Sequence, residues 1–488
     1  STAVLNAYVQ PRVERYLDEL QSRLADAGLA RPLQLMQSNA GTASLAAARA
    51  RPIAMVESGP AAGIVGAAEI GRRIGEPNVI YLDIGGTTAK CSLILDGQVA
   101  TTTEYRIDWR PDFAGHPAMV PVVDIVEIGA GGGSIAWIDE GGAIRVGPQS
   151  AGADPGPACY EHGGTRPTVT DAKLVAGVLD AGYFLGGALS VSRPAAEAAL
   201  AGLGAPLGLD AAATANGIIR LVNANMINAL KLVSVRRGHD PRDFVLVCGG
   251  GGGAMHAAAL GAELQVRAVV VPPNSGVFSA WGMAMTAPRL DVVQTRIARL
   301  GGPGATAAEV AAQFEALEAE AAQAIVGEGI APRVEAVERS ADMRYAGQEH
   351  AVRVAIAAGP VDLAAVERDF HAAHRQKYTF DLVGDPVEIV TYHVVALGPA
   401  PAAARAAQGA PAAAGAPAGA GAPAPKSRRP VDFDIDGIHD TPVYERAALA
   451  PGTTLAGPLV VEEPTTTTLV HPGQTLAADA HGNLVISF

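Results

Sequence analysis

The sequence predicts an α/β protein, with a core of strand–turn units followed by a small α+β unit and a C-terminal run of short strands. Three observations carry this reading. Residues 79–84 (VIYLDI) form a buried strand that ends in an acid, followed by Gly85, Gly86, Thr87 and Thr88. Residues 244–247 (FVLV) form a second buried strand, followed by Cys248, the glycines Gly249, Gly250, Gly251, Gly252 and Gly253, and a helix from Ala254. Residues 122–128 and 135–138 form a strand pair around Gly129-Ala130-Gly131-Gly132-Gly133-Ser134. A glycine turn after a strand lets backbone N–H groups approach an anion, and a helix N-terminus adds a favourable dipole.

Composition narrows the function classes. The chain has 488 residues, material for about three domains. Its net charge of −13 opposes nucleic acid as a partner, because phosphate neutralisation needs a basic face. Three cysteines at wide spacing, Cys91, Cys159 and Cys248, form no disulfide framework and fit a reducing cytoplasm. The apolar run 268–287 is broken by Pro272-Pro273-Asn274 and by glycines, so no membrane span is expected there. No signal peptide is visible.

Taken in order, residues 1–27 read as an amphipathic helix that Pro11 should interrupt or kink, with Val4, Leu5, Tyr8 and Leu17 on an apolar face expected to lie uncovered by this chain. Glu57-Ser58-Gly59-Pro60 opens a helix to about Arg73, one face of which is nearly bare of side chains. Residues 79–84, 91–95 and 99–103 read as a β-meander, the last pair joined by an Asp96-Gly97 turn. The glycines of 129–133 exceed what a hairpin needs, which favours close approach to a ligand. The long loop 147–165 holds Asp154, Cys159 and His162, a metal set or side chains bonded to nearby backbone. Thr170-Asp171 caps a helix from Ala172, and a core helix runs from about Ala212 to Arg237. His256, one turn after the glycines, is a candidate phosphate contact. Helices at 305–326 and 361–377 and strands at 333–345, 351–356 and 387–396 make the α+β unit. Residues 399–429 are an Ala/Pro/Gly linker with tryptic sites at Lys426, Arg428 and Arg429, and the strands beyond it read as a separately folding β domain. The expected domains are 1–296, 297–398, the linker 399–429, and 430–488.

Several long stretches together resemble the A-type subunit of the hydantoinase/oxoprolinase family. They include SGPAAG at Ser58, LDIGGTTAK at Leu82, GAGGGSIAW at Gly129, VGPQSAGADPGPACY at Val146, GGGGGAMHA at Gly249, DMRYAGQ at Asp342 and AGPLVVEEPTTT at Ala456. The resemblance implies an actin-like ATPase with ribonuclease-H-like lobes that uses Mg²⁺ and ATP to phosphorylate the oxygen of a cyclic amide, as in hydantoinases and 5-oxoprolinase. A ketone carboxylase subunit is the alternative, and a non-catalytic scaffold a third. A B-type subunit is the implied partner. Asp83, Thr87 and Lys90 fall on catalytic positions, with Asp83 also a metal ligand. Gly85, Gly86, Thr88, Gly131, Gly132, Gly133, Gly249 to Gly253 and His256 fall on cofactor-binding ones. The family pattern has a further Asp-x-Gly-Gly-Thr turn in an N-terminal lobe. None recurs here, so a fragment or one part of a split subunit is expected.

Overall fold

The computed structural model describes residues 1–29, 32–103, 105–108, 113–327, 329–401 and 423–488. The chain divides into two compact units. One comprises residues 1–61, 101–123 and 284–406, and the other residues 62–100, 124–283 and 407–488.

The second unit carries the glycine turns. Its elements are helix α1 (Ser58–Ile74), strands β1 (Val79–Ile84), β2 (Ala89–Leu95) and β3 (Val126–Ile128), helices α2 (Val169–Val175), α3 (Arg193–Gly204) and α4 (Ala211–Val233), strand β4 (Val245–Gly249), helix α5 (Gly253–Leu264), strand β5 (Val269–Val271) and helix α6 (Phe278–Met285). The tail adds β6 (Ser427–Asp432), β7 (Ile438–Glu445), β8 (Thr454–Ala456), β9 (Leu459–Glu463), β10 (Thr466–Val470), β11 (Thr475–Ala478) and β12 (Leu484–Ser487). The main sheet runs β3-β2-β1-β4-β5-β12-β11-β8, with the two-residue strand Gln98–Val99 beside β2. β4 lies parallel to both β1 and β5, whereas β2 is antiparallel to β1 and β3. Asp96 and Gly97 both take positive φ, the geometry of a two-residue hairpin turn. The third place in the meander differs from expectation: it goes to β3, and the segment 99–103 gives this sheet only its first residue, in Gln98–Val99.

β1 is central, and its apolar residues are buried on both faces, as a strand covered by helices on both sides requires. Ile80, Leu82 and Ile84 share a core with Ile218, Val222, Met226 and Leu230 of α4 and Ala254, Ala257 and Leu260 of α5. By composition α4 and its extension to Arg237 would be long and apolar enough to cross a membrane, but those four side chains lie in this core. On the opposite face Tyr81 packs on Phe278 of α6, ring centroids 5.8 Å apart. The bare face of α1 is explained by packing. A Cβ on Gly63 would stand 2.5 Å from the Tyr81 hydroxyl, and one on Gly282 would stand 1.9 Å from the Ala62 carbonyl.

The tail does not stand apart as the sequence suggested. β12 pairs antiparallel with β5, and Leu455, Leu459, Leu476, Leu484 and Ile486 belong to the same core as β1 and α4. β6 starts inside the expected linker and forms a second sheet, β6-β7-β9-β10. The three expected tryptic sites are engaged: Lys426 with Glu462 (2.5 Å) and Glu445 (3.0 Å), Arg428 with Asp440 (2.6 Å), and Arg429 with Glu462 (2.6 Å). Linker residues 402–422 lie outside the described residues.

The first unit holds a four-stranded antiparallel sheet, Arg289–Arg299, Val387–Leu397, Ala336–Tyr345 and Val352–Ile356 in that spatial order. Its core contains Phe314 of helix Ala307–Gly327, Phe370 of helix Leu363–Tyr378, and Tyr345 and Tyr392 of the sheet. The boundary expected after residue 296 falls inside the first of these strands. The N-terminal helix Thr2–Asp26 continues past Pro11 without interruption, and Gln10 donates to Glu14 across that point at 2.9 Å. Leu17 is fully buried, while Val4 and Tyr8 are 72% and 84% exposed, so the apolar face is covered only in part.

Because β12 sits in the middle of the main sheet's pairing, Ile486→Ala should lower the melting temperature of the whole second unit. The loss is about 2–5 kcal/mol for a buried Ile truncated to Ala. Calorimetry that shows an undisturbed main transition and a separate shifted one would mean that the tail folds on its own.

Candidate functional site

Three turns meet at the strand ends of the main sheet, and they meet through backbone. Gly132 N–H donates to the Gly85 carbonyl (3.0 Å), Gly133 N–H to Gly86 (2.6 Å), and Gly252 N–H to Ile84 (2.9 Å). A Cβ on Gly131 would stand 2.7 Å from the Gly85 carbonyl oxygen. The glycines of 129–133 therefore serve first to let one backbone lie on another. Thr170, on α2, fixes this loop by donating from both its N–H (2.8 Å) and its hydroxyl (2.9 Å) to the Gly132 carbonyl. From the tail, Thr466 donates its hydroxyl to the Gly251 carbonyl at 3.1 Å.

Around these turns lies a cavity of about 290 Å³. Gly85, Gly86, Gly132, Gly251 and Gly252 form its polar wall. Tyr160, Leu179, Tyr183, Phe184, Leu185 and Met255 form an apolar wall, and the hairpin between β9 and β10 closes it with Glu462, Glu463 and Thr465 to Thr467. Among the described residues, the N–H groups of Gly86, Thr87 and Gly251 have no protein acceptor. Tyr160 and Phe184 are in ring contact at 5.7 Å, and the Lys426 ammonium lies 3.6 Å over the ring of Tyr183. The hairpin is held from behind. Glu462 is paired with Lys426 and Arg429, and Glu463 with Arg446 at 3.2 Å. Burial nevertheless pushes the Glu463 carboxyl above its usual range, against the Arg446 charge.

The predicted residues divide between the cavity wall and the structure beneath it. Gly85, Gly86, Gly132, Gly251 and Gly252 are on the wall. Thr87 is exposed at the turn, 3.4 Å from the Ser150 hydroxyl, and Thr88 closes the turn by accepting from Gly85 N–H (3.1 Å). Gly131 and Gly133 pack against the 85–87 turn. Gly249 and Gly250 lie beneath: a Cβ would stand 2.3 Å from the Tyr81 hydroxyl at the first, and 2.3 Å from both Asp83 Oδ1 and the Ile84 carbonyl at the second. Gly253 begins α5.

Asp83 projects on the Tyr81 face of β1, where the Tyr81 hydroxyl lies 3.4 Å from Oδ2. Burial pushes its pKa up, against the Tyr81 hydrogen bond and the charge of Lys90. Lys90, its cross-strand neighbour, is 3.5 Å from Glu127. His256 is off the wall. It is 2% exposed and its Nδ1 meets Asn223 Oδ1 at 2.6 Å, while burial, and then the Lys173 charge, pull its pKa well below the usual value. Its neighbour Met255 takes the wall position, because residues 255 and 256 point to different sides of the helix. Asp154 and His162 are exposed while Cys159 is buried beside Asp171, and among the described residues no group of three or more His, Cys, Asp or Glu is placed to hold a metal.

Sequence reasoning missed the apolar wall, the tail hairpin and Lys173. Lys173, on α2, is 2% exposed, and its ammonium donates to the Met255 carbonyl at 3.0 Å. Burial alone pulls its pKa down to about 7. The N-cap of α2 is Thr168, with Asp171 completing its capping box, two residues before the expected Thr170. A lysine five residues after that threonine gave no signal, since a helix surface is its usual place.

The fold and cavity define a mixed α/β protein with a backbone-walled cavity at the ends of its sheet strands. The chain belongs to the hydantoinase/oxoprolinase family: the hydantoinase/oxoprolinase model matches residues 1–292 and the family's C-terminal domain model residues 303–485. It is 35% identical to an uncharacterised protein of Methanocaldococcus jannaschii, over 100% of this chain and 70% of that protein. It is 34% identical to the caprolactamase subunit alpha of Pseudomonas jessenii, over 98% of this chain and 68% of that subunit. The crystal structure of the ATP-dependent caprolactamase from that organism superposes with a TM-score of 0.85 at 32% identity, covering 100% of this chain and 70% of the other. A nucleotide-free structure of acetone carboxylase superposes with a TM-score of 0.74 at 25% identity, covering 96% and 66%.

Two outcomes follow from the burial. Gly250 has φ +77° and no room for a side chain, so Gly250→Val should destabilise the fold itself by several kcal/mol, visible as a lower melting temperature without any ligand. An unfolded lysine keeps its proton to about pH 10.4, whereas folded Lys173 loses it near pH 7. Between those values the unfolded chain binds more protons, so stability rises with pH there. Lys173→Met should therefore melt higher than the parent at pH 7, with the gap closing toward pH 10. A gap that is constant from pH 7 to 10 would contradict the burial cost.

Proposed function

We propose that this chain binds ATP in the glycine-walled cavity and phosphorylates the oxygen of a cyclic amide, so that a B-type partner subunit can complete ring hydrolysis. The observation that carries this reading is the set of unsatisfied N–H groups at Gly86, Thr87 and Gly251 beside an aromatic wall. Anionic phosphate oxygens satisfy such donors, and a nucleoside base fits against Tyr160, Phe184 and Met255. The strand order β3-β2-β1-β4-β5, with β2 alone reversed, supports a ribonuclease-H-like lobe of an actin-like ATPase. Relatives named as ATP-dependent caprolactamase and as a subunit of it support both the nucleotide and the partner.

The chemistry asks little covalent work of the protein. Transfer of the γ-phosphoryl to the amide oxygen releases ADP and gives an O-phosphorylated imidate. Water added to the ring carbon forms a tetrahedral adduct whose C–N bond breaks as the ring nitrogen leaves protonated, and a second water cleaves the resulting acyl phosphate to the carboxylate and inorganic phosphate. Positioning and charge stabilisation carry such a transfer. The N–H groups of Gly86 and Thr87 hold the phosphates, Thr87 and Thr88 supply hydroxyls, and the tail hairpin excludes water. Among the described residues no group of three carboxylate or imidazole side chains is placed to hold a metal, so Mg²⁺ would come with the nucleotide's own phosphates, and Asp83, at the strand end before this turn, is the residue that would hold it through water. When bound, it would neutralise phosphate charge.

A ketone carboxylase subunit is the second reading, favoured by the acetone carboxylase superposition. Calorimetric titration with ATP tests the site. A Cβ on Gly86 meets nothing within 4 Å, so Gly86→Ala should keep the fold and weaken ATP binding at least about tenfold, or 1.4 kcal/mol. A parent chain that binds no ATP is a scaffold. ATP turnover of the assembled complex with a lactam, compared with a ketone plus bicarbonate, separates the two enzyme readings.

A further inference from the structure

α2 ties together two of the turns that wall the cavity. Thr170, in its first turn, holds the Gly132 carbonyl, and Lys173, one turn on, holds the carbonyl of Met255 in the first turn of α5. Both Thr170 and Met255 line the cavity. Lys173 therefore stands directly behind the wall that follows the second glycine run, and its ammonium has the Met255 carbonyl as its one hydrogen-bond acceptor.

The charged and titratable groups around it leave it uncompensated. On its own helix, the Asp171 carboxylate is taken up by Thr168 and by the N–H groups of Ala158 and Cys159. From α5 it faces His256, and from the loop after β10 it faces His471, whose pKa is held near 4 by burial and then by the Lys173 charge. Arg193 of α3 and Arg429 of β6 occupy carbonyls at the far end of α2. Among the described residues, no carboxylate pairs with Lys173.

We propose that Lys173 is the counter-charge of the cavity: it fastens the first turn of α5 and takes up a proton when an anionic nucleotide fills the space in front of it. A buried amine without a carboxylate is held near its titration point, half charged around pH 7. Polyphosphate brought to the other side of Met255 supplies the missing negative charge and favours the ammonium, since low-dielectric surroundings strengthen that attraction. By linkage the same coupling makes nucleotide affinity fall as pH rises. This inference rests on the reading of the cavity as a nucleotide site. Lys173 acts as a positioning residue and touches no reacting atom.

The test is titration of the full chain with ADP between pH 7.5 and 9, where the nucleotide's own phosphates are fully ionised. Calorimetry in buffers of different ionisation enthalpy reads proton uptake. The parent should take up close to one proton per ADP at about pH 8, and its affinity should fall up to tenfold per pH unit. Lys173→Met should take up none and show a flat pH profile at the weak limit. Lys173→Arg, permanently charged, should bind tightly with no uptake. ADP binding without uptake by the parent, or uptake undiminished in Lys173→Met, would overturn the proposal and leave the nucleotide site standing. A parent chain that binds no ADP overturns the site and the proposal together.

Discussion

The site depends on three turns that approach one another with no side chains between them. Gly131 to Gly133 lie on Gly85 and Gly86, Gly252 is bonded to Ile84, and Gly250 fills the space beside Asp83. Close backbone contact of this kind uses carbonyls as acceptors and leaves other N–H groups turned outward. Those of Gly86, Thr87 and Gly251 are the result. Glycine is required mainly where backbone meets backbone, and the cavity wall is what remains once those contacts are made.

The cavity is completed by a segment that is remote in sequence. The hairpin between β9 and β10 reaches the wall because β12 joins β5 in the main sheet and anchors the tail there. Two buried ion-pair groups, Glu462 with Lys426 and Arg429 and Glu463 with Arg446, orient that hairpin. Buried pairs seldom add net stability over apolar packing, but breaking one is costly because a charge is left alone. They fix the hairpin's position more than they strengthen the fold. Among the described residues Lys173 is the exception, a buried amine without a carboxylate partner, directly behind the cavity wall.

What could be read from the sequence was local. Strand β1 with its acid and glycines, the Asp-Gly hairpin, the strand–polyglycine–helix unit at β4 and α5, the capped helix α2 and the helices and strands of the first unit are all set by short-range chemistry: hydrophobic runs, turn residues and caps. The family resemblance followed from the same stretches, and the family models match over nearly the whole chain. Local rules also misled. The helix Thr2–Asp26 is not interrupted at Pro11, and His256 followed the glycines without reaching the cavity wall.

The sequence by itself determined the turns, the elements that flank them and the family. Only the tertiary structure decided which glycines face open space and which face another backbone, since a five-glycine run reads the same in either role. It also decided that β3 joins the short strand Gln98–Val99 on β2, and that the tail extends the sheet. Pairing between strands more than 200 residues apart, such as β5 with β12, is a matter of which edges remain open once the core has packed, and no local pattern records it. Lys173 is the same case in one residue: its sequence context is that of an ordinary helical lysine, and only the tertiary packing around α2 buries it.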